Sequence, residues 1–220
     1  MLLYYITDRS QFGGDEASRR KKLLEKIAEA AECGVDFIQL REKDLSVREL
    51  ESLARDALRV IRENSPSLAT NGEGETRLLI NSRTDVAIAC GADGVHLRSD
   101  DVSPGTVREV WKHNLARRNA EAFVSVACHT VPEVRVAAEN GADFALFGPV
   151  FEKTEARTPV PPAGLSLLKD ACQQKIPIVA LGGITLENAR TCVEAGATGI
   201  AGIRIFQENQ ISQVVRQLRN

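Results

Sequence analysis

Four segments of the chain repeat one pattern: CGVDFIQL (33–40), CGADGVHL (90–97), NGADFALF (140–147) and AGATGIAG (195–202). Each sets a glycine (Gly34, Gly91, Gly141, Gly196) at the end of a helical run, where the left-handed cap conformation costs glycine least. A short apolar strand follows at once. The pattern recurs every 50 to 57 residues, the length of two βα units, so four double units predict eight strands. The intervening strands read as Leu2–Thr7, Leu78–Asn81, Val124–Ala127 and Ile176–Leu181. Apolar strands without strict alternation belong to a parallel sheet covered by helices. The expected fold is α/β, a single (βα)8 TIM barrel over residues 1–220.

The helices carry their own start signals. After Ser46, the residues Val47, Leu50, Leu53, Ala54, Ala57, Leu58 and Ile61 keep helical spacing. Ser46 with Glu49 and Thr130 with Glu133 read as capping boxes, and Ser103-Pro104 marks another helix start. Residues 64–76 (NSPSLATNGEGET) break the rhythm as a polar loop at the bottom of the barrel, either simply tolerated or available to a partner. A net charge of −2 argues against a nucleic-acid binder. No apolar run approaches the ~20 residues of a membrane helix, and the N-terminus lacks the pattern of a signal peptide. Five cysteines without a C-x-x-C pair fit a reduced, cytoplasmic setting with no disulfide frame.

Barrels of this kind carry their chemistry at the C-terminal ends of the strands. Strand 2 runs into Gln39, Leu40, Arg41, Glu42 and Lys43, and alternation puts Gln39, Arg41 and Lys43 on one side. Two cations there make an anion site, or else a solvated turn. Strand 7 ends in Gly182-Gly183 and strand 8 in Gly202-Ile203-Arg204, the two loops from which barrels frequently build a phosphate site. His129, after strand 5, is either a general acid/base or a structural imidazole. Cys128 should face away from it, His96 should belong to a layer inside the barrel, and His113 to the surface.

These motifs resemble a known family. Gln39–Lys43 (QLREK), Asn81 after strand 3, ADGVHL at 92–97, His129-Thr130, FGPVF at 147–151 and ALGGI at 180–184 look, in order and over nearly the whole chain, like the thiamine phosphate synthase/TenI family of thiamin biosynthesis. A synthase joins hydroxymethylpyrimidine diphosphate to a thiazole phosphate with Mg²⁺. The resemblance implies that Arg41 and Lys43 neutralise the diphosphate, that Asn81 helps hold it, and that Asp101 is one magnesium carboxylate. Gly182, Gly183, Ile203 and Arg204 would hold the thiazole phosphate.

The chain also departs from the synthase pattern. Ser82 stands where a second carboxylate is usual, and is expected instead to cap the following helix with Asp85 three residues on. Ala127 replaces a serine, residues 153–156 (KTEA) replace a Thr-x-Thr-Lys run, and Arg204 replaces another serine. FGPVFE (147–152), SLL (166–168) and the run from Ser103 to Arg108 look TenI-like. The expectation is therefore TenI-type thiazole tautomerisation, with His129 as acid/base, Gln39, Arg41, Lys43 and Asn81 lining the pocket, and no cofactor. A Mg²⁺-dependent synthase using Asp101, and a phosphate-binding protein without catalysis, are the alternatives. The family resemblance allows a homodimer, but no residue pattern marks its contact surface.

Overall fold

The computed structural model describes residues 1–66, 75–114, 121–152 and 161–219. Among these, eight strands form one closed, all-parallel barrel in chain order: β1 (Leu2–Ile6), β2 (Phe37–Leu40), β3 (Arg77–Asn81), β4 (Gly94–Leu97), β5 (Phe123–Cys128), β6 (Phe144–Phe147), β7 (Ile178–Leu181) and β8 (Gly199–Gly202). β8 returns to β1, with Leu2 beside Gly199 and Tyr4 beside Ala201. The helices are α1 (Glu16–Glu32), α2 (Val47–Asn64), α3 (Thr84–Cys90), α4 (Pro104–Asn114), α5 (Val131–Glu139), α6 (Gly164–Ala171), α7 (Ala189–Glu194), α8 (Arg204–Gln207) and α9 (Ile211–Arg219).

The repeat glycines do what their position requires: Gly34, Gly91, Gly141 and Gly196 have φ of 73°, 74°, 78° and 108°. Ser46 and Glu49 form the expected capping box on α2. At α5 only half of one forms. Thr130 Oγ1 accepts from the Glu133 N–H, but the Glu133 carboxylate takes the His129 N–H instead of that of Thr130. Strand 7 begins two residues later than read, at Ile178.

Alternation along the strands divides the core in two. Leu3, Ile38, Leu78, Val95, Val124 and Ala180 face outward into the layer shared with the helices. Tyr4, Phe37, Leu79, Phe144, Leu146 and Val179 fill the inside of the barrel. Phe37 and Phe144 rings lie 5.0 Å apart, and the Arg77 guanidinium sits 4.5 Å above the Phe123 ring. Aromatic rings pack the interior near the strand starts, and open space lies toward the strand ends. Close strand approach there and below needs glycine: a Cβ on Gly94 would lie 1.9 Å from the Phe123 carbonyl oxygen.

Candidate active site

The strand ends open into a cavity of about 1030 Å³. Its lining brings together Gln39, Arg41, Lys43, Asn81, Asp101, Gly182, Gly183, Ile203 and Arg204, the binding residues and metal carboxylate expected from the sequence. His129 is not among the lining residues. Its exposed ring sits outside, with Nδ1 donating to the Gly148 carbonyl. The KTEA run (153–156) that departs from the synthase pattern, and most of the 64–76 loop, lie outside the described residues.

The first wall is the turn after β2. The strand stops at Leu40, so alternation no longer governs Arg41–Lys43. Glu42 folds under the turn, 6% exposed, and accepts from Thr7 Oγ1 at 2.6 Å, the Arg9 N–H at 3.0 Å and Arg9 Nη1 at 3.2 Å. Thr7 Oγ1 also accepts the Arg41 N–H at 3.0 Å. Arg9 extends the network to Asp44 and Glu16. The Thr7–Glu42–Arg9 cluster thereby fixes the backbone from which Arg41 reaches the cavity. Burial lowers the Arg41 guanidinium below its usual pKa despite the charges of Asp8 and Glu42. That is the signature of a cation not fully compensated by the protein, and a bound anion would relieve it.

The floor is set by β2, β3 and β4. Gln39 is buried and its Nε2 donates to Asn81 Oδ1 at 2.8 Å, while its Oε1 has no partner among the described residues. His96 belongs to an inner layer as read, but it also lines the cavity. Burial, and then the charge of Arg41, lower its pKa to about 3, so the ring is neutral.

Beside the floor, Ser82 corrects the sequence reading. It does not cap α3; Arg83 holds that position without a side-chain bond, and Asp85 pairs with Arg83. Ser82 instead adopts a left-handed φ of 57° and donates Oγ–H to Asp101 Oδ2 at 2.7 Å. The same oxygen accepts the Arg98 N–H at 2.8 Å, and Oδ1 lies 3.5 Å from Arg98 Nε. Ser82 and Arg98 therefore hold the Asp101 side chain in place. Asp100 points away, 70% exposed and paired with Arg98. Among the described residues no three His, Cys, Asp or Glu side chains form a metal-binding group.

The opposite wall follows β7 and β8. Gly182 and Gly183 have φ of 95° and 65°, and a Cβ on Gly183 would fall 2.6 Å from the Glu152 carbonyl oxygen. Only glycine gives this turn, which leaves its backbone open to an anion. Ile203 precedes α8, and Arg204 is its first residue.

Sequence reasoning missed Thr7, Arg9 and Glu42 as supports of the site. Their signal was the TDR triplet at the end of β1, a strand end like the others. It also missed Ser125, buried behind His96, because a serine inside an apolar strand announces no partner. The five cysteines are unpaired, and Cys128 is buried facing away from His129, its thiol pushed up to about 12 by burial. No helix among the described residues is long and apolar enough to cross a membrane.

Residues 3–206 match the family model described as thiamine monophosphate synthase (TMP-TENI). A putative thiamine-phosphate synthase 2 from Aquifex aeolicus is 38% identical over 207 residues, covering 94% of this chain and 97% of that protein. A thiamine-phosphate synthase from Syntrophomonas wolfei is 35% identical, covering 99% and 94%. Among solved structures, a thiamine phosphate pyrophosphorylase from Pyrococcus furiosus superposes with a TM-score of 0.76 at 29% identity, over 99% of this chain and 93% of that one. The chain belongs to the thiamine monophosphate synthase/TenI family.

Proposed function

We propose that the cavity couples a pyrimidine diphosphate to a thiazole phosphate as a thiamine phosphate synthase, rather than catalysing the TenI-type proton shift. One observation carries this reading. Two cations (Arg41, Lys43), a glycine-rich anion turn and the Asp101 carboxyl group share a single cavity of about 1030 Å³. Sites for one drug-sized ligand span roughly 300–1,000 Å³, and this cavity lies at the top of that range. The names of the relatives support the same reading. The tautomerase reading asks for a positioned base, and its candidate, His129, lies outside the cavity lining.

In the proposed reaction the bond from the pyrimidine methylene carbon to the diphosphate oxygen breaks, and diphosphate leaves with the electron pair. The thiazole nitrogen then forms the new bond to that carbon. Arg41 and Lys43 hold the developing charge on the diphosphate, and the Thr7–Glu42 contacts keep Arg41 aimed. Gly182, Gly183, Ile203 and Arg204 anchor the thiazole phosphate, which sets its nitrogen against the reacting carbon.

The family chemistry implies Mg²⁺, and the residues fit it in a reduced form. Mg²⁺ is commonly held by one or two carboxylates, with waters and substrate phosphates completing the octahedron. Asp101 supplies one carboxylate, its Oδ1 lying 3.5 Å from the largely exposed Arg98. When bound, the ion would share the neutralisation of the diphosphate with Arg41 and Lys43. The test is an assay with both phosphorylated substrates, with Mg²⁺ present or withheld. Thiamine phosphate appearing only with Mg²⁺ is the expected result. Metal-independent isomerisation of the thiazole without coupling would sink it in favour of the tautomerase, and tight thiazole phosphate binding without turnover would leave a binding protein.

A further inference from the structure

Beneath the cavity floor three polar side chains form one buried chain. Tyr4 and Ser125 are fully buried and His96 is 5% exposed. The Tyr4 hydroxyl lies 3.4 Å from Ser125 Oγ, and Ser125 Oγ lies 2.9 Å from His96 Nδ1. His96 lines the cavity, and with Nδ1 engaged, Nε2 is its atom left for a ligand.

Proton counting gives the chain a direction. The Tyr4 phenol is kept protonated by burial, which raises its pKa above the usual range. Among the described residues Ser125 Oγ is its hydrogen-bond partner, so the phenol proton goes to Ser125. Ser125 has one proton to give, and His96 Nδ1 is its other partner. The reverse direction would leave the phenol proton without an acceptor at a fully buried position, which is the more costly arrangement. A neutral imidazole that accepts at one nitrogen carries its proton on the other.

We infer that Ser125 is a positioning residue: backed by Tyr4, it holds His96 as the Nε2–H tautomer, so the cavity floor presents a fixed hydrogen-bond donor to an acceptor atom of the substrate. The inference rests on the coupling reading for the substrate's identity and extends it to a residue and a protonation state. His96 is thus a donor in this site, not the base of a proton shift.

Two-bond ¹H–¹⁵N spectra of [¹⁵N]histidine-labelled protein read the tautomer, and the His96 signals are those lost in His96→Gln. The wild type is expected to show Nε2 protonated and Nδ1 bare at pH 7. In Ser125→Ala and in Tyr4→Phe, which keeps the ring and its packing, His96 populates both tautomers. The kcat/KM for thiamine phosphate falls roughly tenfold with the loss of one directed hydrogen bond. An Nδ1–H tautomer in the wild type, a tautomer unmoved in both variants, or a moved tautomer with unchanged kinetics overturns the inference. If the wild type makes no thiamine phosphate, the coupling reading fails by itself. The same spectra then decide: the Nε2–H tautomer with a His96 shift on adding either phosphorylated substrate sustains the inference, and no shift with either overturns it.

Discussion

Arg9→Met should destabilise the protein by about 3–4 kcal/mol, and the structure says where that comes from. Arg9 is 4% exposed and spends its donors on three carboxylates. Two of them, Glu16 and Asp44, have side chains 58% and 69% exposed, and water replaces Arg9 there at a cost of roughly 0.5 kcal/mol each. Glu42 is different, with its side chain 1% exposed. Removing one partner of a buried ion pair costs about 3–5 kcal/mol, because the other charge is left without compensation. Glu42 keeps the Thr7 hydroxyl and the Arg9 backbone N–H, which favours the lower end of that range. Glu42→Gln alone should cost less, since Arg9 retains two carboxylates. In the double variant Arg9→Met/Glu42→Gln much of the penalty should vanish, giving a coupling of roughly 2 kcal/mol. Urea unfolding of the four proteins measures the cycle. Because Thr7 also holds the Arg41 N–H, Arg9→Met should in addition raise KM for the diphosphate substrate. An Arg9→Met protein within about 0.5 kcal/mol of wild type, or strictly additive single variants, would refute the argument.

Three further expectations follow from the same geometry. Ser82→Asp restores a second carboxylate at a left-handed position that Asp tolerates, and should lower the Mg²⁺ concentration for half-maximal coupling by about tenfold in a titration; an unchanged or weaker Mg²⁺ requirement counts against the Asp101 site. Gly94→Ala forces a methyl into the Phe123 backbone and should cost about 3 kcal/mol or more by urea unfolding, whereas a neutral effect would mean that β4 and β5 separate easily. His96 has its folded pKa depressed from 6.5 to about 3, so between those values the unfolded chain binds the extra proton and stability is lost as pH falls. The slope is at most about 1.4 kcal/mol per pH unit, and comparing wild type with His96→Gln at pH 6 and pH 5 should show it only in the wild type.

Much of this architecture was legible in the residues alone. Helix-ending glycines followed by apolar strands are local signals, and four of them, with four apolar strands between, leave a parallel barrel as the packing that buries every strand. The barrel in turn dictates that chemistry gathers at the strand ends, which made Gln39, Arg41, Lys43, Gly182, Gly183, Ile203 and Arg204 legible; the family resemblance added Asn81 and Asp101, and all nine line one cavity. What sequence could not decide was direction and pairing. His129 and His96 are both imidazoles on strands or just after them, yet the first turns to the Gly148 carbonyl outside the cavity and the second lines its floor. Ser82 reads as a helix cap, but a left-handed backbone sends its hydroxyl to Asp101, 19 residues away. Glu42 reads as part of a charged turn, yet it is the buried partner of Arg9, 33 residues earlier. Periodicity and caps depend on neighbours in the chain, so the sequence determined the elements and the face on which function sits. Side-chain partners depend on which strand ends closure of the barrel brings together, and only the tertiary structure decided those.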